Sequence, residues 1–176
     1  MPRSVGVRVS ACLILVVTGC AEQSGSEEPS PSPTPEAPSP PTTEEQALEA
    51  YEGMWDVVVE QSRTTKPDYS ELERYAEGDA LALAEHGLGE ESEEGVVSRG
   101  EPVFSPEVIE HDGGAEEVEL RDCVDSSGWQ REDAETGELI DEPPEEPIER
   151  RIDATVSNDG LAWRVSDLRI WEVGSC

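Results

Sequence analysis

Cysteine is the residue type in this sequence with the widest choice of chemistry, because a thiolate can attack a substrate, bind a metal or form a disulfide. A zinc site is poorly supported, since no C-x-x-C pair occurs and His86 and His111 have no ligand-like spacing. Nucleophilic catalysis lacks support as well, because the sequence contains neither G-x-S-x-G nor S-x-x-K. We therefore predict no metal and no cofactor. The chain has four cysteines: Cys12, Cys20, Cys123 and Cys176.

The first two cysteines lie within or next to a secretion signal. Arg3 and Arg8 precede a mostly apolar stretch, residues 9–17, that is too short to span a bilayer as a stable helix. The next residues, Val-Thr-Gly-Cys at 17–20, resemble a bacterial lipobox. The resemblance implies that residues 1–19 are a signal peptide and that lipid on Cys20 anchors the protein to the outer face of the cell membrane. An ordinary secreted protein, cleaved near a cysteine, is the alternative.

The other two cysteines are then left to pair with each other. On the lipoprotein interpretation the signal peptide removes Cys12, and the lipid occupies Cys20. Disulfides persist in an oxidising compartment, so we predict a bond between Cys123 and Cys176. Two unpaired thiols are the alternative.

Acidic residues dominate the charge of this chain. It contains 42 Asp and Glu against 12 Lys and Arg, a net charge of −30, and removal of Arg3 and Arg8 would make it −32. Nucleic acid is excluded as a partner, because the electrostatic footprint has the wrong sign. An anionic membrane surface would also repel the protein, so we expect the lipid on Cys20 to hold it there.

Composition divides the mature chain into a tether and one domain. Residues 20–43 are rich in Pro, Ser and Glu and lack large apolar side chains, which predicts a disordered spacer. Residues 44–176 contain all the aromatic residues and are long enough for a single domain. The stretch 133–147 within this domain is predicted to be a long acidic loop.

Helical periodicity comes first in the domain, and strand periodicity follows. Thr42 with Glu45, or Thr43 with Gln46, offers a capping box for a first helix that ends near Gln61. A second helix is predicted from Asp68 or Ser70, with Leu72, Tyr75, Ala76, Ala80 and Leu83 on one face and Gly87 as its C-cap. Short strands around 96–97, 103–104 and 108–109 follow, then 115–125, 129–131, 149–157 and 161–173. We predict an α+β fold, in which two N-terminal helices pack on a curved antiparallel sheet of four to six strands in a cone-like arrangement.

This order resembles the cone fold of the nuclear-transport-factor-2-like proteins, and more narrowly small actinobacterial lipoproteins of that type. The resemblance covers roughly residues 45–176 and is carried by AYEGMW, ERYAEGDAL, RDCVD with SGW, and GLAWRVSDLRIWEVGSC. Some cone-fold proteins are isomerases, cyclases or dehydratases with an Asp or His base and a polar partner in a pocket. The resemblance thus implies an enzyme acting on a small hydrophobic molecule as one function.

The residues that could form such a pocket are Tyr51, Trp55 and Tyr75, although packing in the core also explains them. Asp56 and His86 are the matching candidates for a base, but the abundance of acidic residues and the helix dipole are sufficient reasons for them without catalysis. The acidic group Asp122, Asp125 and Asp133 has no calcium-loop spacing. We therefore predict a non-enzymatic binding or accessory protein at the cell envelope, with an envelope protein or a small hydrophobic ligand as partner.

Overall fold

The computed structural model describes residues 39–111, 116–141 and 146–176, which belong to one unit, Ser39–Cys176. The predicted signal peptide, the lipidation site Cys20 and most of the predicted tether lie outside the described residues. Within these described residues, a 3₁₀ helix, Tyr69–Arg74, separates two α-helices, and six strands follow. The α-helices and strands are α1 (Thr43–Gln61), α2 (Gly78–Glu94), β1 (Val96–Arg99), β2 (Glu107–His111), β3 (Glu117–Asp125), β4 (Gln130–Asp133), β5 (Glu149–Asn158) and β6 (Trp163–Val173).

A capping box starts α1, and it uses the first of the two predicted pairs. The Glu45 N–H donates to Thr42 Oγ1 over 3.2 Å, and the Thr42 N–H donates to the Glu45 carboxylate over 2.7 Å. Both bonds satisfy backbone donors that a helix leaves without an internal partner. The Thr42 N–H and the Thr42 hydroxyl both donate to the Glu45 carboxylate, and these two bonds lower the pKa of that carboxyl. One face of α1 is buried, and it consists of Ala47, Ala50, Tyr51, Met54, Trp55, Val58 and Val59.

The prediction of one continuous second helix is wrong. The predicted segment begins as the 3₁₀ helix, leaves helical geometry at residues 75–77, and continues as α2 only from Gly78. The interruption has a tertiary cause: the Val165 N–H of β6 donates to the Tyr75 carbonyl, and the Glu77 N–H donates to the Val165 carbonyl. Gly78 then starts α2 with a φ of +57°. The C-cap is Gly95 at a φ of +74°, whereas the predicted cap Gly87 lies inside α2.

The strands form two antiparallel sheets, and the predicted α+β class is confirmed. β1 pairs with β4, while the larger sheet has the order β2-β3-β5-β6. Of the predicted strand at 103–104, only a single bridge forms, between Val103 and Asp125. The predicted acidic loop folds back on β4 where the Ile140 N–H donates to the Arg131 carbonyl, and residues 142–145 lie outside the described residues.

The core lies between the helices and one face of the four-stranded sheet. In β3 every second residue is buried: Val118, Leu120, Asp122 and Val124. The same alternation in β5 buries Ile152, Ala154 and Val156. Burial of these aliphatic side chains supplies the main stabilisation of the fold. No helix among the described residues is both long and apolar enough to span a membrane.

A disulfide joins Cys123 to Cys176, the pair predicted from the sequence. Cys123 lies on the outer face of β3, opposite Arg151 of β5, and the two Cα atoms of the bridge are 5.8 Å apart. Hydrogen bonds hold the chain next to the bridge: the Gly174 N–H donates to the Glu149 carbonyl, and the Arg151 N–H donates to Ser175 Oγ. The bridge therefore fastens the segment after β6 to the middle of the sheet.

Candidate binding cleft

Two adjoining hollows form a cleft at one end of the core, with volumes of about 390 Å³ and about 220 Å³. Their walls share four residues: Trp55, Glu91, Trp129 and Ile170. The larger volume falls within the range of sites that bind small molecules, which bury most of the ligand against apolar side chains. We call these two hollows together the cleft.

Aromatic side chains from three parts of the chain meet at the cleft. Trp55 of α1 lies with its ring centroid 5.2 Å from that of Phe104, which belongs to the segment between β1 and β2. Trp129 follows a turn in which its N–H donates to the Ser126 carbonyl over 3.0 Å. The two tryptophans and Phe104 give the larger hollow an apolar and aromatic wall.

Aliphatic side chains of the sheet and of α2 complete the walls. Ile152 and Ile170 are register partners on β5 and β6, and both line the larger hollow. Ile170 remains 41% exposed, and Leu83 at the smaller hollow remains 40% exposed. Apolar residues left open around a concave surface are typical of a site that another molecule covers.

Among the described residues, four charged side chains line the larger hollow, and two of them neutralise each other. Arg131 donates from Nε to the Asp141 carboxylate over 2.9 Å and from Nη2 over 3.3 Å. This hydrogen-bonded pairing lowers the pKa of the Asp141 carboxyl. Glu91 of α2 is partly buried, and this burial raises the pKa of its carboxyl. The fourth residue is Arg150 of β5.

A buried carboxylate and a tyrosine lie one aromatic layer away from the cleft. The Tyr51 hydroxyl donates to Asp122 Oδ2 over 3.1 Å, and the Ser105 N–H donates to Asp122 Oδ1 over 2.8 Å. Burial raises the pKa of both side chains, and the charge of Asp122 adds to the rise for Tyr51. Tyr51 is in edge contact with Trp55 and Phe104, which line the cleft, whereas neither Tyr51 nor Asp122 reaches its surface. Tyr51 and Asp122 thus satisfy each other's hydrogen-bonding groups inside the core.

Of the three residues predicted to form a pocket, only Trp55 lines the cleft. Tyr51 is fully buried, and the Tyr75 ring packs against Gly53 on another side of α1. Asp56 and His86 are exposed and do not line the cleft, and His86 lies 3.4 Å from Glu90 on the same helix. The structure therefore places Tyr51 against Trp55 in the core but does not put the three predicted residues on the wall of one pocket.

The acidic group around β3 and β4 makes local turns. Asp125 accepts from the Ser127 N–H and hydroxyl, and Asp133 accepts from the N–H groups of Glu135 and Thr136. These bonds lower the pKa of both carboxyls. Within residues 39–111, 116–141 and 146–176, no group of three or more His, Cys, Asp or Glu side chains is placed to hold a metal ion.

Sequence reasoning missed Phe104, Trp129, Arg150 and Ile170 as lining residues of one cleft. Trp129 and Ile170 carried a usable signal, since each is a large apolar residue beside a turn or near the end of a strand. No sequence signal marks Arg150 as a cleft residue, because an arginine within an acidic chain is expected to pair with a carboxylate at the surface.

No family model matches the chain, and no curated protein matches it. Among solved structures, the crystal structure of the intermembrane space region of chloroplast protein ARC6 is similar, with a TM-score of 0.50 and 13% sequence identity. The match covers 76% of this chain and 99% of that chain. At this identity the likeness shows the fold alone. The resemblances to the nuclear-transport-factor-2-like family and to actinobacterial lipoproteins stay predictions.

Proposed function

We propose that this protein is a lipid-anchored extracytoplasmic binding protein that holds a small hydrophobic molecule in the cleft. The observation that carries the binding proposal is the aromatic and aliphatic lining of that cleft, with Ile170 and Leu83 left open at its walls. Such a lining favours an apolar ligand through removal of its surface from water. Binding of an envelope protein is the alternative function, and it would be favoured if the small-molecule titration below shows no binding.

The arrangement favours binding over catalysis. A general base must come within hydrogen-bond reach of the substrate proton that it removes. Asp122 is 1% exposed, and its oxygens already accept from Tyr51 and Ser105 inside the core. Glu91, which does line the cleft, has no tyrosine or histidine hydrogen-bonded to it among the described residues. The cone-fold enzyme therefore remains the weaker proposal.

Replacing Cys20 by alanine tests the anchor. Lipid chains are what would hold this acidic protein at a membrane, so the variant should move from the membrane fraction to the soluble fraction. Fractionation followed by mass analysis of the N-terminal peptide is the measurement. Cys12→Ala is the control and should leave the protein in the membrane fraction. Retention of the Cys20→Ala variant at the membrane would show that the lipobox interpretation is wrong.

A neutral amphipathic alcohol tests the cleft. We expect 6-phenylhexan-1-ol, titrated by calorimetry into the full chain carrying Cys20→Ala, to bind saturably at one site. Ile170→Glu should weaken this binding at least about tenfold, because the ligand would bury an apolar surface against a carboxylate. Leu161→Glu adds the same charge at a side chain that is 90% exposed and outside the cleft, and it should leave the affinity unchanged.

Two results would count against the proposed site. Equal loss of affinity in the Ile170→Glu and Leu161→Glu variants would place the ligand outside the cleft. Absence of saturable binding to the parent chain, with its melting transition intact, would remove the small-molecule proposal and leave a protein partner as the function to pursue.

A further inference from the structure

Arg150 differs from every other arginine that the structure describes. Seven of them make an ion pair with an Asp or Glu, and Arg169 is exposed and stacks on Trp171 at 3.5 Å. Arg150 is half-buried, and its side chain has neither an ion pair nor a stacking partner within residues 39–111, 116–141 and 146–176. The seven paired residues are Arg63, Arg74, Arg99, Arg121, Arg131, Arg151 and Arg164.

An arginine that has no carboxylate partner among the described residues is unexpected in this chain, which has 42 Asp and Glu side chains. Burying a guanidinium disfavours the folded state unless an anion or hydrogen-bond acceptors compensate it. The Arg150 Nε is buried without an acceptor, and its Nη groups donate to no described residue. Its fork of N–H groups is therefore available to a bound molecule with two acceptor oxygens.

The side chains around Arg150 indicate the chemical class of that bound molecule. Arg150 lies on β5 two residues before Ile152, and both side chains line the larger hollow together with Trp129 and Val124. The indole N–H of Trp129 is also buried without an acceptor. The walls around Arg150 thus offer an apolar surface and donors, and the one other arginine of the hollow, Arg131, is occupied by Asp141.

We propose that the ligand of the cleft is an amphipathic carboxylate, whose apolar body lies against Trp55, Trp129 and Ile170 and whose carboxylate pairs with Arg150. This inference rests on the proposed binding function and names the class of its ligand. A planar carboxylate matches the guanidinium fork, and such a pair is stronger inside a cleft than at an open surface. Arg150 acts as a specificity-determining residue that separates the acid from its neutral analogue.

The acidic residues of the protein do not prevent this pairing. Most of them are solvent-exposed, and salt screens exposed charges over about 8 Å at physiological ionic strength. Within the cleft, Asp141 is already bonded to Arg131. Glu91 also lines this hollow, and its partial burial raises the pKa of its carboxyl. We therefore expect the contact with Arg150 to decide whether the cleft prefers the acid to its neutral analogue.

A matched pair of probes tests the inference. The full chain carrying Cys20→Ala is titrated at pH 7.5 with 6-phenylhexanoate and with 6-phenylhexan-1-ol, which differ only at the polar end. We expect the acid to bind at least about tenfold more tightly than the alcohol. Arg150→Met should reduce this ratio to about one and leave the affinity for the alcohol within about threefold, because Met retains the apolar stem.

Arg169→Met is the matched control, since this arginine also has no ion pair with a described residue but stacks on Trp171 outside the cleft. It should preserve the preference for the acid. Binding of both probes with equal affinity to the parent chain would overturn the inference and leave the proposed binding function standing. Failure of both probes to bind would reject the proposed function itself. Equal loss of both probes in Arg150→Met, with an unchanged melting transition, would show that Arg150 only packs the wall.

Discussion

Replacing both Cys123 and Cys176 by serine should lower the free energy of unfolding by about 4 kcal/mol. The bridge closes a loop of 53 residues, and closing a loop of this length removes much of the conformational freedom of the unfolded chain. Cys123 and Cys176 are both exposed, so the serines should leave little packing defect behind. Urea unfolding of the variant and the parent chain gives the difference directly.

Reduction provides the control for the disulfide prediction. The parent chain unfolded in the presence of a reductant should become as unstable as the double serine variant, whereas the variant should not respond to the reductant. Unfolding curves that coincide for the oxidised parent and the variant would contradict the expected stabilisation. Alkylation of Cys123 and Cys176 in the unreduced parent chain would show instead that the bond does not form.

Gly100→Ala is expected to destabilise the domain by about 3 kcal/mol or more. Gly100 has a φ of +75°, where an alanine costs about 1–2 kcal/mol. A Cβ at this position would also overlap the carbonyl oxygen of Gly128, so the backbone next to the β1–β4 sheet would have to move. Because Trp129 directly follows Gly128, we expect this movement to weaken ligand binding in the cleft as well.

Gly137→Ala separates the cost of an alanine at positive φ from the cost of the overlap with Gly128. Gly137 has nearly the same dihedral angle, a φ of +73°, but a Cβ there meets no atom within 4 Å. This control should cost only the backbone term of about 1–2 kcal/mol and leave the cleft unaffected. Thermal unfolding and titration of 6-phenylhexan-1-ol provide the two measurements. Equal destabilisation by Gly100→Ala and Gly137→Ala would show that the close approach to Gly128 contributes nothing.

Local rules were enough to predict the features that depend on neighbours in sequence. The capping box of Thr42 and Glu45 starts α1 because its donors and acceptors are three residues apart. Asp122, Val118 and Leu120 alternate with polar residues in the sequence of β3 and so share one face, and the structure buries all three. The α+β class followed from the change of period between the helices and the strands. The pairing of Cys123 with Cys176 was predicted on a different basis, because the lipobox resemblance assigns Cys12 to the signal peptide and Cys20 to lipid and leaves only these two, 53 residues apart.

Only the tertiary structure decided where the second helix breaks and which residues share a cleft. The apolar stripe from Leu72 to Leu83 predicts one helix. However, Val165, which lies 88–90 positions later in the sequence, makes backbone hydrogen bonds to the Tyr75 carbonyl and the Glu77 N–H and so interrupts that helix. The cleft joins α1, α2, the β3–β4 turn and strands β5 and β6, so no local pattern marks its walls. Arg150 reads as one more surface charge until packing places it beside Trp129 and Ile152, with no ion-pair partner among the described residues. Long-range contacts decide these features, because burial and pairing depend on the neighbours that folding brings together.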